Sequence, residues 1–187
     1  MRSDFKKIFW GFIFLVFDFN LFMVNIFPDF IGFFLIYIGC SSLAKEDISF
    51  EKASKLARLW SFLVFANGIR GVLYPFTNES LTIYSFLAIG IDLFLGIGRM
   101  YIVYHICRGI YNMAKSRDLN YLMDNCRYRW NFLFGTFVLA QCIQPFIYNV
   151  YSEVINAMLV ILVVLQAIAY ILIIALVNAA KKDLVVG

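Results

Sequence analysis

The chain has 187 residues, of which 63% are hydrophobic, 19% aromatic and 15% charged, a balance far from that of an ordinary soluble domain. One aqueous core cannot hide 21 Phe and 11 Tyr, because a domain of this size still exposes roughly a third of its chain surface. Composition therefore favours an integral membrane protein. The net charge of +4 is informative through its placement, and we expect no nucleic-acid partner.

The first apolar stretch follows Lys6 and Lys7 and resembles a signal peptide. It carries Asp18 and lacks a small-x-small cleavage site, so we predict a retained helix. Five more stretches approach the ~20 apolar residues that cross ~30 Å of hydrocarbon, and the fourth runs on toward Lys115 without proline. The predicted helices span 8–27, 29–44, 56–76, 81–104, 129–149 and 153–178, with cytoplasmic loops at 45–55 and 105–128, all within a single domain, 1–187.

Basic residues orient these helices. Fourteen of the sixteen Lys and Arg residues lie in or beside alternate connections, which the positive-inside rule assigns to the cytoplasm. Trp10, Trp60 and Trp130 stand on the same side, at headgroup level. The sequence predicts a compact all-α bundle of six transmembrane helices in the cell membrane, arranged as three consecutive helical hairpins with both termini cytoplasmic. The phrase W-x-F-[I/L]-[F/V] begins at each tryptophan, which indicates either an internal repeat or similar needs of helices that enter from the cytoplasm.

Polar residues interrupt the apolar stretches from mid-depth toward the outer side. An ionised group at the bilayer centre costs roughly 2.5–3.5 kcal/mol on insertion scales, so these side chains should face one another or water. We expect a polar pocket that opens outward, with Asp29 and Glu153 at its mouth. Alternatively, the same groups are hydrogen-bonding glue between helices. The predicted pocket residues are Asp18, Asn20, Asn67, Arg70, Asp92, Gln141, Gln144 and Asn156.

Other patterns concern helix packing and the membrane surface. Gly32 and Gly39 are seven residues apart on one helix face, which favours close helix packing. Arg99 lies near the predicted cytoplasmic end of the fourth helix, where its side chain can extend to the surface. The basic, tyrosine-rich segment from Arg108 to Arg129 is predicted to bind anionic lipid at about 1 kcal/mol per basic residue. Docking of a protein partner fits the same pattern.

The sequence carries no Gly-rich phosphate loop, no HExxH, no CxxC pair and only one histidine, His105. We therefore predict no catalytic residue, metal or cofactor. The outward pocket favours binding or transport of a small solute or ion. The second hypothesis is a non-transporting accessory or sensory protein that associates with a membrane partner through its helices and cytoplasmic loops. In helix number, length and pocket the predicted bundle is similar to the substrate-binding membrane subunits of energy-coupling-factor vitamin transporters, although the AxxxA pattern of their first helix is absent.

Overall fold

The structure, a computed structural model, describes residues 1–16, 26–73, 81–149 and 153–184. Within the helices it describes the backbone alone at 26–28, 67–73, 81–89, 92, 144–149 and 153–156. Every regular element in the described residues is α-helical, which confirms the predicted all-α class. The helices are α1 (Arg2–Val16), α2 (Ile26–Leu43), α3 (Ile48–Leu73), α4 (Leu81–Lys115), α5 (Asn120–Asn149) and α6 (Glu153–Asp183).

The helices extend beyond the apolar stretches that predicted them. Helix α4 has 35 residues, which at ~1.5 Å per residue make a rod of roughly 52 Å, well beyond ~30 Å of hydrocarbon. The segments 45–55 and 105–128, predicted as loops, are mostly helical, and their non-helical turns lie at 44–47 and 116–119. Apolar length measures how much of a segment suits lipid, whereas the end of a helix depends on local capping and turn signals.

The six helices form a closed ring. Each helix packs against the next one along the chain, and α6 packs back against α1. Short turns make α2 and α3, and likewise α4 and α5, antiparallel neighbours. The buried core draws apolar side chains from all six helices, among them Phe5, Phe33, Phe50, Ile106, Leu133 and Ile173.

Several helix ends that carry basic residues meet at one end of this ring. The Lys181 ammonium lies 5.7 Å from the centre of the Phe9 ring, which joins the end of α6 to α1. The Asn112 side-chain amide, near the end of α4, donates a 2.9 Å hydrogen bond to the Asp47 carboxylate before α3. Arg117 donates to the backbone carbonyl that follows α6. We call this part of the bundle, formed by the start of α1, the turns 44–47 and 116–119 and the end of α6, the basic end.

Glycines allow α1 and α2 to touch backbone to backbone. A Cβ atom added at Gly11 would lie 2.7 Å from the Gly32 carbonyl oxygen, and one added at Gly32 would lie 2.9 Å from the Gly11 carbonyl oxygen. Further along the same seam, a Cβ at Gly39 would lie 2.8 Å from the Asp4 carbonyl oxygen. The prediction that Gly32 and Gly39 permit close helix approach is confirmed, and Gly11 is the partner that the sequence alone did not indicate.

The turn between α4 and α5 ends α4 without a glycine. The Leu119 N–H donates to the Ala114 carbonyl at 3.0 Å and the Asp118 N–H to the Lys115 carbonyl at 3.3 Å, the paired hydrogen bonds of a Schellman motif. This motif needs a left-handed backbone at its next-to-last residue, and Asp118 supplies it with a φ of 55°. Because α5 begins directly afterwards, the turn sets the basic residues at the start of α5 beside the end of α4.

One helix in the described residues is long and apolar enough to cross a membrane, the Ala157–Asp183 part of α6. The Asp29–Leu43 part of α2 is apolar but shorter. By length and composition, one helix could thus span a membrane. The other five predicted spans and the orientation of the termini stay predictions.

Candidate functional site

Most residues of the predicted outward pocket lie beyond the side chains that the structure describes, so their convergence stays a prediction. Asp18 and Asn20 lie outside the described residues. Gln141 is half-buried on α5 and Asp29 is half-buried in the first turn of α2. The residues placed on helices with only their backbone described are Asn67 and Arg70 on α3, Asp92 on α4, Gln144 on α5, and Glu153 and Asn156 on α6.

Asp29 takes part in an ion pair that bridges the ring. Arg99 Nη2 of α4 lies 3.3 Å from Asp29 Oδ2 of α2, and the two side chains are 29% and 26% exposed. The guanidinium carbon lies 5.8 Å from the centre of the Phe33 ring, and Tyr170 of α6 lies close enough for electrostatic interaction with both Arg99 and Asp29. Helices α2, α4 and α6 are alternate members of the ring. We call these three polar side chains, Asp29, Arg99 and Tyr170, the bridging cluster.

The bridging cluster changes the interpretation of Arg99. The sequence placed this residue near the cytoplasmic end of the predicted 81–104 span, with its side chain extending to the surface. Helix α4 continues to Lys115, as the proline-free sequence predicted, but the Arg99 guanidinium turns toward Asp29 at the start of α2. The expectation of a surface-seeking arginine is therefore wrong, because a carboxylate on a nearby helix offers a charged partner at closer range.

A second feature is a cleft between α4 and α5 near the basic end, with a volume of about 280 Å³. Neighbouring turns of the two helices supply its walls, which contain two arginines, three aromatic rings, two thiols and an amide. No carboxylate is among the residues that line it. The lining residues are Tyr104, Cys107, Arg108, Tyr111, Asn112, Cys126, Arg127 and Trp130.

Tyrosines hold both arginines of the cleft in place. Arg108 Nη1 donates to the Tyr104 hydroxyl oxygen at 3.0 Å, and its guanidinium carbon lies 6.0 Å from the centre of that ring. Arg127 Nη2 of α5 donates to the Tyr111 hydroxyl oxygen of α4 at 2.7 Å, with 5.0 Å from guanidinium carbon to ring centre. In the described part of the chain neither arginine forms an ion pair with a carboxylate. The cleft is therefore electropositive, with several guanidinium N–H donors still to satisfy.

An aromatic strip leads from the cleft to the outer surface of the helices. The Tyr104 and Trp130 ring centres are 5.3 Å apart, and the Trp130 and Phe134 ring centres are 5.6 Å apart in a stacked arrangement. On α4, Tyr101 lies 6.3 Å from Tyr104. Phe134 and Tyr101 are 48% and 52% exposed, so the strip ends as an open apolar surface.

The thiols of the cleft are poorly suited to nucleophilic or redox chemistry. Burial raises the pKa of the Cys126 thiol to about 12 and raises the pKa of Cys107 well above its ordinary value. A thiolate is the reactive form of cysteine, so both groups stay protonated and inert at neutral pH. The cleft therefore offers charge and apolar surface for binding, and its thiols are not activated.

His105 lies on α4 next to the cleft and is only 3% exposed. Its ring packs edge-on against Tyr101 at 4.6 Å and Tyr104 at 5.3 Å between ring centres. Neither imidazole nitrogen has a hydrogen-bond partner among the described residues. Burial, reinforced by the positive charges of Lys52 and Arg108, lowers the pKa of His105. The imidazole is therefore neutral and adds no third positive charge to the neighbouring cleft.

Comparison of the chain with protein-family models, with curated proteins and with solved structures finds no match. Inference about function therefore rests on the two sites. Sequence reasoning assigned Arg108 and Arg127 to a lipid-facing loop and missed the cleft. Spacing could have indicated it, because Tyr101, Tyr104, Arg108 and Tyr111 follow one another at intervals of three and four, which is the signature of one helix face.

Proposed function

We propose that all six helices cross a cell membrane, with the basic end in the cytoplasm. Large apolar side chains with 44% to 66% exposure occur on every helix, although soluble monomers rarely expose apolar patches of more than a few hundred Å². Lipid would cover this surface without cost. One such side chain from each helix, in chain order, is Trp10, Phe34, Phe62, Phe94, Leu139 and Val163.

We further propose that the bundle binds or transports a small polar solute or ion. The observation that carries this proposal is the bridging cluster, which contains a partly exposed ion pair between alternate helices of the ring. Charges within the hydrocarbon region are expensive, and they pair with one another or mark a solute pathway. About a quarter of each side chain stays accessible, so Arg99 and Asp29 can reach a solute in the predicted outward pocket.

Exchange of the two charges tests this function. The double variant Asp29→Arg/Arg99→Asp keeps an ion pair but reverses its direction, which avoids the cost of about 3–5 kcal/mol for one unpaired buried charge. Arg58→Gln, an exposed position on α3, is the matched control. We expect mass spectrometry of extracts from purified wild-type and control protein to find the same small molecule, and the folded exchange variant to lack it. Equal amounts in all three proteins would show that the cluster is purely structural.

Thiol labelling tests the topology and the pocket together. In a chain whose four cysteines are replaced by serine, Gln141→Cys should react with a membrane-impermeant reagent applied outside intact cells. Arg58→Cys, toward the basic end, should react only after the membrane is opened. Release of the protein from membranes by alkaline carbonate would contradict the embedding itself.

The second candidate function is that of an accessory or sensory protein. The side of α6 that faces away from the bundle favours this function. Its residues Val160, Ile161, Val163 and Val164 are all more than half exposed and could pack against a partner helix as well as against lipid. The exchange variant separates the two functions. A solute carrier loses its solute and stays intact, whereas an accessory protein that pairs through α6 holds no solute before or after the exchange.

A further inference from the structure

We propose that the cleft between α4 and α5 binds the phosphate of an anionic membrane lipid, with the acyl chains lying along the aromatic strip. This site is separate from the bridging cluster and rests on the membrane embedding proposed above. It turns a general attraction of basic segments to the membrane surface into one defined site for one lipid molecule.

Charge is the first support. Arg108 and Arg127 project from facing helices into one cleft without a lining carboxylate. Each donates one described hydrogen bond, to a tyrosine hydroxyl, out of five N–H donors on a guanidinium. The tyrosines fix the planes of both guanidinium groups before any ligand arrives, so little side-chain entropy is lost on binding. Two preoriented guanidinium groups suit a phosphate, whose oxygens accept paired N–H donors.

Shape is the second support, because the charged and apolar parts of the cleft are arranged like those of a lipid. Arg108 and Tyr101 are seven residues apart on α4, and Arg127 and Phe134 are seven apart on antiparallel α5. At ~1.5 Å per residue, both helices place their arginine and their exposed ring about 10 Å apart along the axis. The arginines are nearer the basic end on both helices. A lipid phosphate and the start of its acyl chains require the same order, from charge at the cytoplasmic side to hydrocarbon.

Volume is the third support. The cleft of about 280 Å³ lies just below the range of sites that enclose a drug-sized ligand. It holds a phosphate with its glycerol, so the acyl chains must lie outside on Tyr101 and Phe134, which are about half exposed. Free inorganic phosphate would use the arginines alone and leave the exposed rings without a role.

The test uses full-length protein in neutral detergent, titrated with phosphatidylglycerol, phosphatidylcholine or sn-glycerol 3-phosphate, with bound lipid counted by native mass spectrometry. We expect one tightly bound phosphatidylglycerol. Arg108→Gln/Arg127→Gln should weaken its binding by roughly 30-fold, the factor expected for loss of two basic contacts. Arg2→Gln/Arg58→Gln removes the same charge at two exposed positions away from the cleft and should change the affinity by less than about twofold.

Phe134→Ser separates a lipid from a soluble phosphate. This variant should weaken the binding of phosphatidylglycerol several-fold and leave the binding of sn-glycerol 3-phosphate unchanged. Equal weakening by the two arginine pairs would mean diffuse attraction and overturn the proposal. The proposal would also be overturned if phosphatidylcholine bound as tightly as phosphatidylglycerol, or if inorganic phosphate displaced the lipid at similar affinity. The titration uses protein that alkaline carbonate does not release from membranes. A negative lipid result would therefore contradict the lipid site and leave the membrane embedding intact.

Discussion

Replacement of Gly11 with alanine tests the α1–α2 seam most directly. The new Cβ would lie 2.7 Å from the Gly32 carbonyl oxygen and 3.1 Å from the Ile36 backbone nitrogen. Ordinary contact begins near 3.4 Å, so the helices must separate by about 0.7 Å, the difference between 3.4 and 2.7 Å, at their closest point. These two obstacles are backbone atoms, which no side-chain rotation moves, and the Ile36 side-chain atom Cγ1 lies 2.7 Å away as well.

Two opposing terms set the magnitude for Gly11→Ala. Overpacking of a close contact costs about 1–3 kcal/mol, whereas alanine in place of glycine favours the helix by up to about 1 kcal/mol. Gly135→Ala is the matched control, because a Cβ there meets nothing within 4 Å and only the favourable term applies. The two variants should therefore differ in stability by about 1–3 kcal/mol, and Gly11→Ala should be the less stable of the two.

Thermal unfolding in detergent, followed by the loss of helical circular dichroism, measures this difference. A change of 1 kcal/mol shifts the midpoint of a chain this size by roughly 2–4 °C, so Gly11→Ala should melt roughly 2–12 °C below Gly135→Ala. If Gly11→Ala melts at or above the temperature of Gly135→Ala, the helices are not in backbone contact at this seam and the reasoning is refuted.

Three more substitutions have defined outcomes. His105→Phe keeps a ring but removes two buried nitrogens without described partners; it should raise stability by about 1–3 kcal/mol. The lowered pKa of His105 also makes wild-type stability fall as pH drops below 6.5, and circular dichroism melts across pH should show a flatter profile for the variant. Asp118→Gly should add about 1 kcal/mol, read from the melting midpoint, because glycine adopts the φ of 55° without strain. The hydrogen bond to Asp183 raises the pKa of Tyr121 to about 12. The stability that this hydrogen bond contributes is therefore present below pH 10 and lost toward pH 12. In an alkaline titration of stability, Tyr121→Phe should lack this decrease.

Helix positions and one packing seam followed from the sequence because both depend on local patterns. Apolar length located the helices, and the seven-residue spacing of Gly32 and Gly39 indicated a face that tolerates close approach. The continuation of α4 to Lys115 was predicted from the absence of proline. The starts of α3 at Ile48 and α5 at Asn120 were not predicted, because basic and tyrosine-rich segments keep helical hydrogen bonds well past the apolar region.

The bridging cluster and the cleft were out of reach for a different reason. Arg99 and Asp29 are 70 residues apart, and only the order of helices around the ring brings them together. Tyr104 and Arg108 share a face of α4 by their spacing, but that face becomes a site only where Trp130 and Arg127 of α5 lie opposite. Local pattern fixes which residues share a helix face, whereas the partner of that face depends on tertiary packing.

Closure of the ring between α1 and α6 has a consequence for the order of events during synthesis. Helix α1 meets one of its two neighbours as soon as α2 follows, but the other neighbour, α6, is the last of these six helices to be made. In the membrane proposed above, lipid or a helper protein would have to cover the face of α1 that receives α6 until α6 is complete. The contact joins the most distant elements of the chain and therefore carries a large loop-closure entropy. We expect shortened chains that lack α6 to be degraded, because the ring cannot close without it.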